Sequence, residues 1–375
     1  MRPVGPLRSI QTVTRSGATA IRLLAGRPPY VYCGFVGEGN LGDDAIFSAI
    51  RDGLGGGHPV STRPGTPTFP LRLAQLATRA MVQGLVLGGG TLIGRYGWLE
   101  RVQAVARVDQ TRAVVCIGTG VEDAAWSGQD ALTDAHELTR WAEFIRQRFD
   151  RVSVRGPRSA AILSDLGVDA RVAGDPALLL TAGEATPPRD DGVIAINVGA
   201  SGPIWGSQSD VNARVAEAAH ELIRRGRRIR FVILWERDRA TTERLAGALP
   251  ASATTIVAPR SPAEAVSELF RAQVVIGQRL HAVVLASAAH TPAISLAYRP
   301  KCQDFLESIG REDMAFRTDQ IDTANLVDMT MALSDNLEAE TRLVREGVDP
   351  LRSILTEELA ACRTLLSSGR SDITL

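Results

Sequence analysis

The chain holds a single lysine, Lys301, among 42 basic residues; the other 41 are arginines. Cysteine is scarce too. Cys33, Cys116, Cys302 and Cys362 are scattered with no C-x-x-C pair, which argues against a zinc site and a disulfide framework. Cys33 and Cys116 lie in apolar, strand-like runs and read as small buried hydrophobes, and a reducing cytoplasm suits such usage. No stretch reaches about 18 consecutive apolar residues, so no transmembrane helix is expected. Neither sign of charge is in excess, with 42 basic and 42 acidic residues. That argues against general nucleic-acid binding, which needs a basic surplus to displace counterions. The first 30 residues carry five arginines and no acid, yet lack the apolar core of a signal peptide. Residues 1–29 read as a loose extension. Peripheral contact with anionic lipid at the inner face of a membrane is the sharper alternative.

What is there is an alternation. The 375 residues suffice for about two domains and for a large core without staples. β-branched runs at Tyr30–Val36, Gly84–Leu87, Ala113–Ile117, Arg151–Val154 and Ala170–Ala173 predict strands. Helical patterns fall between them at Asp43–Leu54, Trp98–Val108, Leu138–Phe149 and Pro157–Leu166. The segment Ala182–Asp191, AGEATPPRDD, reads as a linker. A second series follows, with strands expected at Val193–Val198, Arg230–Leu234, Thr255–Val257, Val274–Ile276 and Ala293–Leu296. Its helices are expected at Val211–Arg225, Arg239–Leu249, Ala263–Arg271, His281–Ala289 and Lys301–Ser308, and the tail from about Asp322 to Leu366 reads as helical throughout. Such alternation implies parallel sheets covered by helices. The expected fold is α/β, with two Rossmann-like doubly wound domains facing a central cleft: 30–181 and 192–320, joined by 182–191 and followed by a helical tail, 321–375. One larger sheet is the alternative. Either way, ligands belong beyond the carboxyl ends of the strands.

Five motifs sit at such ends. Gly37-Glu38-Gly39-Asn40-Leu41-Gly42-Asp43-Asp44 follows the first strand; its glycines let backbone N–H groups converge on an anion at a helix N-terminus. The stretch Gly55–Pro70 holds no acid, which disfavours a dinucleotide site, and no Walker loop is present. The alternative is a plain turn with Asp43 as helix cap. Gly88-Gly89-Gly90-Thr91 is costly to order, which suggests close approach by a ligand or by another backbone. Arg155, in SVRGPRS, ends a strand, where its planar fork suits carboxylate or phosphate; a structural ion pair is the alternative. Arg158 is expected to face solvent. Arg279-Leu280-His281 lies at a strand-to-helix turn, with Leu280 turned to the core and the other two to the cleft, a setting for proton transfer. Tyr298 and Lys301 complete the set. No metal site is evident, although Asp43, Asp44 and Asp175 would hold magnesium if they converged.

The pieces GNLGDDA (Gly39–Ala45), GGGTLI (Gly88–Ile93), SVRGPRS (Ser153–Ser159), DPALLL (Asp175–Leu180), RLHAVVLA (Arg279–Ala286) and the Tyr298/Lys301 pair resemble, in order, those of the polysaccharide pyruvyl transferase family. The resemblance spans roughly residues 30–310. Trp235-Glu236 departs from it, at a strand end where a proline-like turn is expected. The resemblance implies a fold like that of two-Rossmann glycosyltransferases. It also implies transfer of the pyruvyl group of phosphoenolpyruvate onto two hydroxyls of a sugar, as a cyclic ketal, without a further cofactor. Arg155, Arg279 and His281 match the family's donor-binding and catalytic positions. Gly39, Asn40, Gly42, Asp43, Gly89, Gly90, Thr91, Tyr298 and Lys301 are expected to bind substrate, with the acceptor on the N-terminal half, lipid-linked or free, and the donor on the C-terminal half. His281, beside Arg279 at a helix N-terminus, is expected to be neutral when free and to gain a proton when the anionic donor binds. The rival functions are a nucleotide-sugar glycosyltransferase on the same fold and a non-catalytic anion-binding protein.

Overall fold

In the computed structural model the described residues are 30–56, 58–61, 84–106, 112–125, 132–183, 189–200 and 202–368. The arginine-bearing extension, residues 107 and 108 of an expected helix and the middle of the expected linker lie outside them.

The N-terminal half runs β1 (Val31–Gly34), α1 (Leu41–Leu54), β2 (His58–Ser61), β3 (Gly84–Gly88), β4 (Thr91–Ile93), α2 (Leu99–Ala106), β5 (Ala113–Val121), α3 (Ala135–Arg148), β6 (Arg151–Val154), α4 (Pro157–Asp165) and β7 (Arg171–Val172). A 3-10 turn, Pro176–Leu179, follows. The C-terminal half runs β8 (Val193–Asn197), α5 (Gln208–Arg224), β9 (Arg228–Val232), α6 (Arg239–Gly247), β10 (Thr254–Val257), α7 (Pro262–Phe270), β11 (Val274–Gly277), α8 (Leu280–Ala288), β12 (Ala293–Ala297), α9 (Pro300–Ser308) and β13 (Ala315–Arg317). The tail forms α10 (Thr323–Asp335) and α11 (Leu337–Ser368), so the helix expected to be unbroken is interrupted at Asn336, which caps α10.

Two separate parallel sheets result, not one. The first has strand order β2-β1-β3-β5-β6-β7, with β4 beside β5; the second has order β10-β9-β8-β11-β12-β13. The second is the doubly wound 3-2-1-4-5-6 order, whose switch point lies between its first and fourth strands, here β8 and β11. Strands β3, β5, β8, β11 and β12 are buried along their whole length, which is why they read as unbroken apolar runs rather than alternations. Helix starts follow side-chain chemistry: Asn40, Asp134, Ser207, Ser261 and Asp322 each accept an N–H of the first turn, as good caps do.

One core spans both halves. It runs from Tyr32, Ile46 and Ile50 through Leu178 in the 3-10 turn to Leu280, Val283 and Phe305. A second cluster, with Leu87, Trp98 and Trp141, covers the opposite face of the first sheet. Helix α11 straps the halves together. Its Glu358 takes Arg151 and Arg171 of the first sheet, and its Glu340 takes Arg311 of the second half. The cleft edge is joined as well: Leu41 N donates to Leu234 O at 3.0 Å, and Asn40 bridges Trp235 antiparallel. Both switch points therefore open onto the same space.

Candidate functional site

The loop after β1 enters that space first. Asn40 caps α1, accepting from Gly42 N at 3.2 Å and donating from Nδ2 to Asp43 Oδ2 at 2.6 Å. The cap is thus Asn40, and Asp43 is not. Asp43 is buried, and burial raises its pKa to about 7, with Lys301 and Arg155 pulling the other way. Gly42 is required on packing grounds, since a Cβ there would strike the imidazole of His281. The glycine triplet has a similar reason. A Cβ on Gly89 would strike Tyr32 Oη, and only Gly90 and Thr91 reach the cleft. Gly39 serves the turn, at φ +70°, and Gly39, Gly42 and Gly89 do not line the cleft.

β6 delivers Arg155 to a fully buried position. Its Nε donates to Asp175 Oδ2 at 3.0 Å and Nη1 lies 3.5 Å from Thr91 Oγ1. Nη2 is buried with no partner. The carboxylate of Asp175 also caps the 3-10 turn, accepting from Ala177 N at 3.0 Å. Across from it, His281 Nε2 stands 3.9 Å from the same Asp175 Oδ2, too far to bond, and is itself buried and unpartnered. Arg155 and His281, 126 positions apart in the chain, therefore share one carboxylate.

The C-terminal half places Arg279 at its switch point. Asn197, ending β8, accepts Arg279 N on its side chain at 3.1 Å and Gln278 N on its carbonyl at 2.9 Å, which fixes the turn. The guanidinium forks onto buried Asp238, with Nε at 2.9 Å and Nη2 at 2.6 Å, and stacks on Trp235 at 4.9 Å. The tryptophan that departs from the family pattern is thus part of the cleft wall, and its Nε1 donates to Glu38 O at 3.3 Å. Leu280 is buried as expected, although its edge also touches the cleft. His281 sits in the first turn of α8. Burial holds its pKa well below the usual histidine value, and Arg155 and Lys301 add to the effect. The depressing cations are those two, not Arg279 as the sequence suggests. Lys301, in the first turn of α9, lies over the Tyr298 ring at 5.0 Å.

Together these groups bound a cleft of about 550 Å³, within the roughly 300–1,000 Å³ usual for small-molecule sites. Asn40, Asp43, Gly90, Thr91, Arg155, Arg279, His281, Tyr298 and Lys301 all line it. So do Arg95, Arg237 and Arg299, with Glu38, Glu122 and Asp123 as the further carboxylates; cations outnumber anions. Sequence reasoning missed Asp238, a lone acid with no motif around it, and the arginines at 95, 237 and 299. Arg158, expected to face solvent, is partly exposed and also forks onto Glu307 of α9 at 2.5–2.9 Å, a partner the sequence did not indicate. Asp44 turns away to accept Gly37 N at 2.7 Å. No group of three or more metal-type ligands forms among the described residues, so the Asp43, Asp44 and Asp175 trio does not converge.

One expectation of this site is directly measurable. Binding of an anion with two or more charges should raise the His281 pKa from its depressed value. Histidine NMR titration with and without phosphoenolpyruvate reads this, and an unmoved His281 signal would contradict it.

The comparisons with known proteins agree with this architecture. Among curated proteins no match is found. In fold the chain is similar to a UDP-GlcNAc 2-epimerase of Neisseria meningitidis bound to UDP-GlcNAc, with TM-score 0.53, 11% identity, and coverage of 88% of this chain and 99% of that one. It is similar to a glycosyltransferase of Rickettsia africae, with TM-score 0.53, 11% identity and coverage of 90% and 96%. It is also similar to a Methanocaldococcus jannaschii UDP-GlcNAc 2-epimerase in complex with UDP-GlcNAc and UDP, with TM-score 0.53, 12% identity and coverage of 81% and 92%. Likeness at this identity shows the fold alone: two parallel-sheet halves around a cleft. No helix among the described residues is long and apolar enough to cross a membrane. The family model for polysaccharide pyruvyl transferase matches residues 40–300, from the Asn40 cap to the start of α9, and the chain belongs to that family.

Proposed function

We propose that the protein transfers the pyruvyl group of phosphoenolpyruvate onto two hydroxyls of one sugar, forming a cyclic ketal on a cell-surface polysaccharide or glycolipid precursor, on the cytoplasmic side. The observation that carries this reading is Arg155 Nη2, a buried charged donor with no partner, in a cleft where cations outnumber anions and which the unpartnered Nε2 of His281 also faces. A buried donor without a partner is costly, and an anionic ligand relieves it. Phosphoenolpyruvate presents a carboxylate and a phosphate on three carbons. Arg155, Arg279 and Lys301 offer separate cationic anchors for the two groups, and such fixing supplies several kcal/mol of entropic advantage. The donor's methylene carbon must gain a proton and its central carbon must take two sugar oxygens, while phosphate leaves. His281, neutral before the donor arrives, is placed to move the hydroxyl proton. The reduction of the methylene carbon and the oxidation of its neighbour cancel, so there is no net redox change and the donor itself suffices.

The test is incubation of the full chain with phosphoenolpyruvate and a panel of sugars and lipid-linked sugars. The expected result is release of inorganic phosphate and an acceptor heavier by one pyruvate less one water. Two of the structural neighbours, the Neisseria meningitidis and Methanocaldococcus jannaschii epimerases, hold UDP-GlcNAc or UDP. Release of a nucleoside diphosphate from a nucleotide sugar would favour glycosyl transfer instead, and no turnover with any donor would favour a binding role.

Arg279→Lys should lose at least about tenfold in kcat/KM for the donor, because a point charge cannot hold the fork onto Asp238 and the stack on Trp235 at once. Steady-state kinetics at saturating acceptor read it. Wild-type behaviour would mean that Arg279 does not orient the donor.

A further inference from the structure

We infer that Asp43 is the acid that protonates the methylene carbon of the donor, with neutral His281 taking the hydroxyl proton. This rests on the pyruvyl-transfer reading and divides its proton work between two residues.

Asp43 lies in the first turn of α1 and lines the cleft. One of its carboxyl oxygens, Oδ2, is held by Asn40 Nδ2 at 2.6 Å, which fixes the group's orientation. The residue before it, Gly42, is the surface on which the His281 ring packs. Asp43 and His281 therefore approach the same ligand space from opposite halves of the molecule. The groups that act on Asp43 come from several elements: Asp44 on its own helix, Asp175 from the 3-10 turn, Arg155 from β6 and Lys301 from α9. Tyr32 of β1 is buried beside it. Two carboxylates and burial outweigh two cations, so Asp43 holds its proton to about pH 7 while His281 holds none until well below its usual range. Where two environments push neighbouring groups apart in this way, the group with the raised value is the acid and the group with the lowered value is the base. A bound donor of two or more negative charges raises both values: it strengthens the acid, while His281, which starts well below its usual range, stays neutral at pH 8, so the proton that the sequence assigns to His281 on donor binding goes to Asp43 instead.

The protons then balance. The donor's π pair takes the Asp43 proton, making the methyl C–H bond and leaving an oxocarbenium centre. A sugar oxygen attacks that centre and its proton passes to His281 Nε2. Phosphate departs with the C–O bonding pair and takes that proton. The second hydroxyl closes the ring, and its proton restores Asp43.

The test uses the full-length protein and phosphoenolpyruvate alone, then the acceptor found by the product assay. Calorimetry at pH 8 in buffers of different ionisation enthalpy gives the protons taken up on donor binding. Wild type is expected to take up about one, because Asp43 is ionised when free and protonated when the donor is bound. Asp43→Asn keeps the Asn40 contact and should still bind the donor. Its proton uptake should fall towards zero and its phosphate release by about 10²–10³, the ordinary worth of a general acid. Asp43→Glu should recover part of both. The wild-type rate should fall as pH rises through the Asp43 value, and that limb should vanish in Asp43→Asn. Uptake that survives in Asp43→Asn and disappears in His281→Gln overturns the division, and so does Asp43→Asn turning over like wild type. A folded wild-type protein that neither binds phosphoenolpyruvate nor releases phosphate overturns the pyruvyl-transfer reading, and this inference with it.

Discussion

His281→Ala is expected to lower kcat by about 10²–10⁴, the usual loss when a positioned acid–base group is removed. His281 enters from the first turn of a helix whose nine residues are all buried, so its backbone has little freedom to wander. Gly42 removes the one Cβ that would displace its ring. The ring nitrogen Nε2 has no protein partner, although two polar groups stand close: Asp175 at 3.9 Å and the Arg155 guanidinium on that same carboxylate. A nitrogen held this way is available to a substrate proton and to nothing else nearby. Alanine suits the helix, so the variant should fold with a modest loss of packing. Its donor affinity should change far less than its turnover, since Arg155, Arg279 and Lys301 remain. Phosphate release under saturating donor, alongside thermal unfolding, separates these effects. His281→Gln, which keeps a hydrogen-bonding side chain but moves no proton, should be nearly as impaired. Turnover near the wild-type value in either variant would remove the histidine from the reaction.

Most of the scaffold that places this histidine was legible in the amino-acid order, because a strand buried on both faces has no choice but to be apolar throughout. Val274–Gly277 and Ala293–Ala297 announce themselves that way. The strands that escaped are those without such a run. β2 contains a histidine and a proline, while β4 and β13 are three residues long. Glycine meaning was legible in kind but not in cause. The triplet after β3 does signal a close approach, yet what approaches Gly89 is the Tyr32 phenol. Arginine partners were the least legible feature. Arg158 and Glu307 are 149 positions apart, and Asp238 and Arg279 are 41 apart. Such pairs exist only once distant strands have come together, so no local pattern marks them. The same distance hides the fact that Arg155 and His281 meet over Asp175.

Asp175→Ala should therefore cost far more than a lost surface ion pair. Both members of the Arg155–Asp175 pair are fully buried, and removing one partner of such a pair typically costs about 3–5 kcal/mol, because the other charge stays buried and uncompensated. Arg155 would keep only Thr91 Oγ1 at 3.5 Å, and the guanidinium cannot shed its proton to escape. The cap on the Pro176–Leu179 turn, Ala177 N to Asp175 Oδ1 at 3.0 Å, would go as well, adding roughly 1 kcal/mol. That turn lies in the core shared by both halves, so the damage should reach the cleft. Urea unfolding measures the loss. A second reading separates the charge from the cap: an anion that enters the cleft replaces the missing carboxylate beside Arg155. Phosphoenolpyruvate should consequently stabilise Asp175→Ala more than it stabilises wild type at equal saturation, following the linkage of binding to folding. Asp175→Asn retains the cap and an acceptor for Arg155, so it should lie between the two. If Asp175→Ala unfolds at the wild-type urea concentration, the Arg155 charge is already satisfied by something other than this carboxylate, and the cleft is not waiting for an anion.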